Sequence, residues 1–346
     1  MISYTTGNMF DCGADCLFNA VNCEGFMGKG LAYQFKTRFP QNFKSYAKAC
    51  KSGELTVGKV HYTVENGVTV INFPSKNKWK ERSKIEYIET GMKYFTDLLP
   101  CLNVRKIAIP PLGCGNGGLL WDSVKNVIVN AVTGYKDRYD FIIFEPSFLP
   151  EQNVKKMVKT DVEELVLLEM IQNLKNYKYN MKRLQKAGYF MNIFLEEEYF
   201  RFSEDRLYSE DGPYSDDITR IAGVLKEYQK CYGVKDTKTA SAQIYQTICS
   251  ERVDKKLEKL LKAVKKSTDY INSIPTDEEL DQIVKVLYLV LNGEPKNKEK
   301  IIDGYKLFSK DDENTKNILG CIESLENTAI ITSDIFGNYT KSASGI

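Results

Sequence analysis

The sequence predicts an α/β protein in which a three-layer α/β/α domain with a central sheet is followed by a predominantly α-helical domain. In the first 150 residues, short apolar runs bounded by Gly, Pro or charge alternate with segments of helical period, a pattern typical of strands covered by helices. Beyond residue 160 the helical period continues without such runs. At 346 residues the chain also exceeds what one hydrophobic core usually serves, so we expect two domains.

Within the first domain, three runs rich in Val, Ile and Phe have the character of strands, and they are residues 68–73, 105–112 and 140–146. Four further segments have the helical spacing of apolar residues, and they are residues 29–39, 40–51, 85–99 and 121–132. Ligands of α/β sheets bind beyond the carboxyl ends of the strands. We therefore expect a functional site in the loops that follow these strands.

A change of character after residue 146 marks the domain boundary. Residues 146–156 contain two prolines and no clear period, so we predict a first domain at 1–150, a linker at 151–160 and a helical domain at 161–346. Helical periods in the last of these cover residues 162–174, 181–197, 217–232 and 252–266. Thr276 with Glu279 is a capping-box signal for one more helix.

Composition excludes several classes of protein. No apolar run approaches the roughly 18 to 20 residues of a membrane span, and the first residues do not resemble a signal peptide, so we expect a cytoplasmic protein without membrane contacts. Nine cysteines, spread over the whole chain, do not fit a disulfide framework. The only histidine is His61, and the pair Cys12 and Cys16 has no second pair of ligands. We therefore predict no metal site and no cofactor.

The charge differs between the two halves of the chain, although the net charge of +2 predicts no partner by itself. Residues 1–150 hold 18 Lys and Arg against 13 Asp and Glu, and the remaining residues hold 30 against 33. The first domain is therefore mildly basic and the second mildly acidic.

Two glycine-rich segments each lead into a predicted helix, NAVNCEGFMGKG at residues 19–30 and PPLGCGNGG at residues 110–118. Glycine lets the backbone turn tightly and approach a ligand, and a helix start offers free N–H groups to an anion. Two such loops could cradle a pyrophosphate, although each is also compatible with a simple turn. The candidate ligand-binding residues are Asn19, Met27, Gly28, Lys29, Gly30, Gly113, Cys114, Gly115, Asn116 and Gly117.

A third segment, INFPSK at residues 71–76, leads into the basic stretch NKWKERSK. Cations that alternate around an aromatic residue suit a nucleic acid, because they can contact phosphates while the ring stacks on a base. The residues predicted to contact DNA are Lys78, Trp79, Lys80 and Arg82. The alternative is a solvated loop.

In this order and spacing, NAVNCEGFMGKG, INFPSK and IPPLGCGNGGLLW resemble the macrodomain of the DarG antitoxins of DarTG toxin–antitoxin systems, over residues 1–150. The resemblance implies the macrodomain fold with a mixed central sheet. It also implies DNA ADP-ribosyl glycohydrolase activity, which is hydrolysis of the bond between ADP-ribose and thymidine in single-stranded DNA. Such an enzyme reverses the toxin's modification and thereby repairs DNA.

More distantly, the sequence resembles the eukaryotic terminal ADP-ribose glycohydrolase macrodomain, in which a lysine at the strand end that matches INFPSK is catalytic. The resemblance makes Lys76 the catalytic candidate, with Asn22 orienting the distal ribose beside the scissile bond. That relative has an aspartate where this sequence reads Asn116-Gly117, so an acid in that role is missing here. Asn8 stands where many macrodomains carry an adenine-contacting aspartate.

Lys76 can act in two ways. As a cation it would stabilise charge on the departing base or the pyrophosphate. As a nucleophile on the anomeric carbon it must be neutral, which requires a pKa lowered by burial or by neighbouring cations. Ordinary glycosidases use two carboxylates instead, and the three segments supply no such pair.

In the second domain, LQKAGYFMNIFLEEEYFRF and the later Gly212-Pro213-Tyr214 resemble the toxin-interaction region of DarG antitoxins. The resemblance implies that this domain binds and neutralises a DarT-type DNA ADP-ribosyltransferase. An acidic surface would suit a toxin's DNA-binding groove, although a solvated surface explains it equally well. Two other functions stay open, a non-catalytic ADP-ribose-binding module and a toxin inhibitor that acts only through the helical domain.

Overall fold

The computed structural model describes residues 1–146, 158–175, 181–203, 213–306 and 315–342. These residues divide into two compact units. The first contains the described part of Met1–Met157 together with Ala242–Val253, and the second contains the described parts of Val158–Ser241 and Asp254–Ile346. The segment Ala242–Val253 thus belongs to the first unit, whereas the sequence predicted one helical domain over residues 161–346. Most of the predicted linker, residues 151–157, lies outside the described residues.

The first unit is built on a six-stranded sheet with the order β1-β6-β5-β2-β4-β3. Its strands are β1 (Ile2–Thr5), β2 (Cys16–Val21), β3 (His61–Glu65), β4 (Val68–Pro74), β5 (Lys106–Ile109) and β6 (Asp140–Phe144). All neighbouring strands are parallel except β3, which is antiparallel to β4. The sheet is therefore mixed, and the adjacent parallel strands β5, β2 and β4 end at the same edge.

Helices cover both faces of this sheet, and they are α1 (Gly30–Arg38), α2 (Pro40–Lys51), α3 (Ile85–Leu98) and α4 (Trp121–Val132). Successive side chains of a strand point to opposite faces, and the core accordingly forms two clusters. Phe18 and Phe73 pack with Phe95 of α3, whereas Leu17 lies in the cluster that contains Phe35 of α1. The arrangement confirms the predicted three-layer α/β/α sandwich.

Local sequence patterns locate most of these elements. The four predicted helices agree with α1 to α4 within one residue, and the three predicted strands correspond to β4, β5 and β6. The patterns do not reveal β1 or β2. Strand β1 is only four residues long and half polar, and Asn19, which we expected in the first glycine-rich loop, lies inside β2.

The second unit is predominantly helical, as predicted. Its helices are α5 (Val162–Asn173), α6 (Met181–Leu195), α7 (Asp216–Tyr232), α8 (Thr237–Ile248), α9 (Glu251–Ser273), α10 (Asp277–Leu291), α11 (Lys298–Lys306) and α12 (Thr315–Asn327). Two of them, α8 and α9, belong partly to the first unit, through the segment Ala242–Val253. A hairpin of β7 (Ile331–Ser333) and β8 (Tyr339–Lys341) follows them. The hairpin, α8, α11 and α12 were not predicted from the sequence.

Helix starts in this unit follow local capping chemistry. Asp161 and Glu164 form a reciprocal capping box at the start of α5. The side chain of Thr276 accepts a hydrogen bond of 3.1 Å from the N–H of Glu279, which confirms the predicted start of α10. Ser215, directly after the predicted Gly-Pro-Tyr turn, is the N-cap residue of α7, and Gly212 lies outside the described residues.

Candidate active site

Three loops leave the carboxyl ends of β2, β4 and β5, and we name them by the strand they follow. The β2 loop comprises residues 22–29, the β4 loop residues 75–84 and the β5 loop residues 110–120. Because the three strands are parallel neighbours, these loops converge at one edge of the sheet. The three motifs singled out in the sequence are therefore brought together.

Hydrogen bonds tie the β4 loop to the β2 loop. The N–H of Cys23 donates to the carbonyl oxygen of Asn77 at 2.9 Å. The N–H of Trp79 donates to the Glu24 carboxylate at 2.7 Å. Glu24, which was not selected as a site residue from the sequence, thus fixes the backbone of the basic stretch to the first glycine-rich loop.

Two further hydrogen bonds tie the β4 loop to the β5 loop. The N–H of Ser83 donates to the carbonyl oxygen of Gly117 at 3.0 Å. The Nζ of Lys76 donates to the carbonyl oxygen of Asn116, also at 3.0 Å. The amine of the catalytic candidate is therefore held against the second glycine-rich loop.

Lys76 is partly buried, and this burial lowers the pKa of its amine below the ordinary lysine value. Desolvation disfavours the charged form of an amine, so a larger fraction of Lys76 is neutral at a given pH than for a solvated lysine. The neighbouring cations Lys78 and Lys80 are exposed. A lowered pKa of Lys76 could arise from burial or from neighbouring cations, and in the structure the cause is burial.

Asn22 is buried and organises the β2 loop. Its Nδ2 donates to the carbonyl oxygen of Phe26 at 2.7 Å, and its Oδ1 accepts from the N–H groups of Glu24 and Phe26 at 2.9 and 3.4 Å. The hydroxyl of Tyr46 donates to its carbonyl oxygen at 2.7 Å. The side chain thus closes an Asx-type turn, and its role beside the ribose stays a prediction.

Asn19 is fully buried and begins a network of neutral amides beneath the loops. Its Nδ2 donates to Asn72 Oδ1 at 3.1 Å, and Asn72 Nδ2 donates to Asn42 Oδ1 at 2.7 Å. Asn72 also lies 3.2 Å from Nδ1 of His61. Met27, which lies 3.6 Å from the Asn19 amide through its sulfur, is likewise buried. Asn19 and Met27 therefore support the loops from the buried core of the domain.

Two glycines of the β5 loop are needed for its packing against the β4 loop. Gly113 has a φ of +71°, a conformation that L side chains rarely adopt. At Gly117 a Cβ atom would lie 2.1 Å from Ser83 Oγ and 2.4 Å from the carbonyl oxygen of Gly113. These two glycines are therefore required for packing between the β4 and β5 loops.

By contrast, a Cβ atom on Gly28 or Gly115 would have no neighbour within 4 Å. Both glycines are exposed, as are Lys29 and Asn116. These positions have room for a ligand, and their backbone N–H groups are the candidate phosphate donors. Cys114 is partly buried, and burial raises the pKa of its thiol to about 12, so it is a poor nucleophile.

Gly30, the first residue of α1, is in contact with a distant part of the first unit. Its N–H donates to the carbonyl oxygen of Cys249 at 3.0 Å. From the sequence we expected the N–H at the start of α1 to face a phosphate. In this structure its hydrogen bond is accepted by a backbone carbonyl oxygen.

The predicted DNA-contacting residues, Lys78, Trp79, Lys80 and Arg82, are all exposed in the β4 loop. Trp79 is 55% exposed, and Lys80 Nζ lies 5.0 Å from the centre of its ring. Each of the other two loops also exposes a large apolar side chain, Phe26 at 59% and Leu120 at 77%. Neither was selected from the sequence, since a single apolar residue in a loop carries no periodic signal.

Asn8 lies outside these three loops and forms local hydrogen bonds. Its Oδ1 accepts from the N–H of Phe10 at 3.2 Å, and its Nδ2 donates to Asp11 at 2.8 Å. The side chain caps the short 3-10 turn Met9–Asp11. Its predicted contact with adenine stays a prediction.

Within the described ranges, no group of three or more His, Cys, Asp or Glu side chains is arranged to hold a metal ion. Cys16 is buried in β2, where desolvation raises the pKa of its thiol. His61 lies between Asn72 and Ser45, and burial lowers its pKa. Over the same ranges, no helix is long and apolar enough to span a bilayer.

The fold and these loops define a class of protein, and comparison with known sequences agrees. Residues 18–128 match the Macro domain family model, so the first region of the chain is a macrodomain. Among curated relatives, a DNA ADP-ribosyl glycohydrolase of Mycobacterium tuberculosis is 43% identical over 152 residues, which are 42% of this chain and 43% of that protein. The macrodomain is thus of the kind found in DNA ADP-ribosyl glycohydrolases.

Two other relatives extend the comparison. A DNA ADP-ribosyl glycohydrolase of Thermus aquaticus is 32% identical over 237 residues, covering 65% of this chain and 64% of that protein. A DNA ADP-ribosyl transferase-DNA ADP-ribosyl glycohydrolase fusion protein of Thermosipho africanus is 32% identical over 151 residues, covering 38% and 39%. The chain therefore spans less than two thirds of the length of each of these relatives.

Among solved structures, the macrodomain of Mycobacterium tuberculosis DarG is 42% identical. The match covers 42% of this chain and 98% of that chain, with a TM-score of 0.41. The match to the Macro domain family and the sequence identity to the DNA ADP-ribosyl glycohydrolases confirm the resemblance noted from the sequence motifs.

Proposed function

We propose that this protein is an antitoxin whose macrodomain hydrolyses the bond between ADP-ribose and a thymidine base in single-stranded DNA. The observation that supports the proposal most directly is the position of the Lys76 amine. It is partly desolvated and lies against Asn116 in the β5 loop, beside glycines that leave room for a ligand. Relatives named DNA ADP-ribosyl glycohydrolase share this region at 32% to 43% identity.

The ADP-ribose moiety would lie across the open positions of the β2 and β5 loops. The N–H groups around Gly28 and Gly115 would donate to the pyrophosphate, because neither glycine has a side chain or close neighbour to exclude it. Exposed Lys29 adds a positive charge at the same edge. This placement directs the distal ribose toward Lys76 and the loop that Asn22 holds.

Lys76 would act on the anomeric carbon of that ribose. In its neutral form the amine donates its lone pair to this carbon, and the C–N bond to thymine breaks with its electron pair moving to the base nitrogen, which takes up a proton. Water then hydrolyses the lysine–ribose adduct, which regenerates the amine and releases ADP-ribose. The lowered pKa of Lys76 increases the neutral fraction of the amine, which this route requires.

The basic stretch of the β4 loop would hold the DNA strand next to the modified base. Trp79 offers an exposed ring for stacking, and Lys78, Lys80 and Arg82 supply charges for the flanking phosphates. The link from Trp79 to Glu24 keeps this strand-binding surface in fixed register with the β2 loop. Exposed Phe26, in that same loop, is a second candidate for base stacking.

The decisive experiment measures release of ADP-ribose from a single-stranded oligonucleotide that carries ADP-ribose on thymidine. We expect Lys76→Ala to lower kcat by about 100-fold or more, because it removes the group that acts on the reacting carbon. Lys59→Ala, at an exposed lysine before β3, is the matched control and should behave as the wild type. If the wild-type protein bound ADP-ribose tightly but released none from the oligonucleotide, the protein would be a non-catalytic binding module and not an enzyme.

The pH profile and Lys76→Arg separate the two roles of the lysine. A nucleophilic amine makes kcat rise with pH until the lowered pKa is passed, because only the neutral form reacts. Arg keeps the charge but cannot lose it, so Lys76→Arg should be as inactive as Lys76→Ala. If Lys76→Arg instead kept substantial activity, and the wild-type rate fell as pH rose while the rate of the variant stayed constant, the role of the lysine would be electrostatic.

The second unit would bind and neutralise a DNA ADP-ribosyltransferase toxin. Two comparisons support this part of the proposal. Similarity to the Thermus aquaticus relative covers 65% of the chain and so continues beyond the macrodomain, and the Thermosipho africanus relative is named as a fusion with a DNA ADP-ribosyl transferase. A glycohydrolase is thus associated with the enzyme whose product it would remove.

This activity can be tested without interference from hydrolysis. The full chain with Lys76→Ala is added to a purified cognate transferase, and the initial rate of DNA modification is measured. We expect stoichiometric inhibition, because the variant lacks only the proposed catalytic amine. An unchanged modification rate would mean that the protein counteracts the toxin through its macrodomain alone.

A further inference from the structure

One contact in the first unit joins the predicted phosphate-binding end of α1 to a segment more than two hundred residues later. The Gly30 N–H donates to the Cys249 carbonyl oxygen at 3.0 Å, and Cys249 Sγ donates to the Gly30 carbonyl oxygen at 3.4 Å. A Cβ atom on Gly30 would lie 3.6 Å from the carbonyl oxygen of Gln246 and 4.0 Å from that of Thr247. The end of α8 is therefore packed directly onto the start of α1.

The electrostatics of this contact resemble those of an anion site. The start of a helix carries partial positive charge and unpaired N–H groups, and the end of a helix presents partially negative carbonyl oxygens. The carbonyl oxygen of Cys249, directly after α8, thus occupies the position at the Gly30 N–H that a phosphate oxygen would occupy in the proposed site, and the carbonyl oxygens of Gln246 and Thr247 lie nearby. Gly30 is buried by the contact, and Cys249 has no exposed surface at all.

We propose that segment 246–249 is an internal competitor of ADP-ribose, which closes the start of α1 in the free protein and is displaced when the pyrophosphate binds. The inference rests on the proposed function, because it takes the start of α1 as part of the ADP-ribose site. A phosphate oxygen carries a full charge and accepts a stronger hydrogen bond than a carbonyl oxygen. The ligand therefore has the differential affinity that is needed to shift the segment.

The position of the segment in the chain gives the displacement a consequence. Residues 242–253 are the only described part of the chain after residue 157 that belongs to the first unit, and they continue directly into the second unit on both sides. Displacement of the segment would therefore also move the adjoining residues of α8 and α9.

The test uses the thiol of Cys249 in the wild-type full chain as the reporter. The protein is treated with iodoacetamide with and without saturating ADP-ribose, and the labelling rate of each cysteine is followed by mass spectrometry. We expect ADP-ribose to raise the labelling rate of Cys249 by about tenfold or more, because a buried thiol reacts only when its surroundings open. Two cysteines serve as controls, Cys16, which is fully buried in β2, and Cys101, which is exposed.

Binding of ADP-ribose is measured in parallel by calorimetry, which separates the two proposals. Bound ADP-ribose with faster labelling of Cys249 and unchanged labelling of Cys16 and Cys101 would support displacement. Bound ADP-ribose with unchanged or slower labelling of Cys249 would overturn this inference and leave the proposed function standing. Absence of binding would overturn both. An equal rise at Cys16 would indicate general loosening and would also contradict displacement.

Discussion

Both units bury polar side chains, and a buried network of the first unit can be compared with a buried ion pair of the second. The first unit buries neutral amides, Asn19, Asn42 and Asn72, which are joined in one hydrogen-bonded network under the loops. The second unit buries a charge, the amine of Lys186 in α6, which is 1% exposed and pairs with Asp281 of α10. A neutral amide is much less costly to desolvate than an ion.

This difference indicates what each network is for. The amides connect β2, β3, β4 and α2, so they fix the strand ends from which the β2 and β4 loops emerge. The ion pair joins α6 and α10, two helices of the second unit. The buried amide network therefore supports the strand ends of the candidate site, whereas the buried ion pair specifies how α6 packs against α10.

The largest expected effect on stability comes from the ion pair. Asp281→Ala leaves the Lys186 amine buried without its carboxylate, and we expect a loss of about 3 kcal/mol in the free energy of unfolding of the second unit. Scanning calorimetry with and without ADP-ribose identifies the units, because the ligand raises only the transition of the unit that binds it. The variant should lower the transition that ADP-ribose does not raise.

Asp269→Ala is the matched control, since Asp269 pairs with Lys265 on the exposed surface of α9. Solvent weakens such a pair, and its loss should cost no more than about 0.5 kcal/mol. If Asp281→Ala also weakened ADP-ribose binding, the two networks would not be independent, and the contrast between the units would fail.

Sequence reasoning succeeded where a residue type itself reports its surroundings. Glycines at residues 113 and 117 and the lysine at the end of β4 marked the loops, because only glycine tolerates such conformations and contacts. The helices of the first unit were also predictable, since their apolar spacing is periodic. The fold and the location of the candidate site were therefore accessible from local patterns.

Long-range contacts of single residues were not accessible in this way. The carboxylate of Glu24 reaches the backbone of Trp79, and Cys249 reaches Gly30 across 219 residues, yet neither residue belongs to a recognisable motif. Asn19 was assigned to the glycine-rich loop because an amide interrupts the apolar run of β2, although tertiary hydrogen bonds stabilise it there. Such contacts depend on which distant elements meet, and no local period records that.

A smaller effect distinguishes a glycine that is needed for packing from one that we propose to face the ligand within the same loop. Gly117→Ala places its Cβ against Ser83 and the backbone of Gly113, so we expect it to cost the macrodomain about 2 kcal/mol of stability. Gly115→Ala meets no neighbour and should change stability by less than about 0.5 kcal/mol. It should nevertheless weaken ADP-ribose binding about tenfold, equivalent to about 1.4 kcal/mol. Scanning calorimetry measures the stability of each variant, and isothermal titration measures its affinity for ADP-ribose. If Gly117→Ala and Gly115→Ala had the same effect on stability and the same effect on affinity, the distinction would be refuted.

The smallest expected effect concerns the DNA strand. Trp79→Leu should weaken binding of an unmodified single-stranded oligonucleotide by about fivefold, since stacking of one base on an aromatic ring contributes about 1 to 3 kcal/mol and Leu keeps part of the apolar contact. Fluorescence anisotropy at fixed salt measures the effect, and Tyr94→Leu, at a 42% exposed ring on α3, is the control. The affinity for free ADP-ribose should stay constant, because Trp79 lies in the basic stretch and not in the glycine-rich loops. If Trp79→Leu and Tyr94→Leu weakened DNA binding equally, the basic stretch would be a solvated loop, and the strand would have to be held by another surface of the macrodomain.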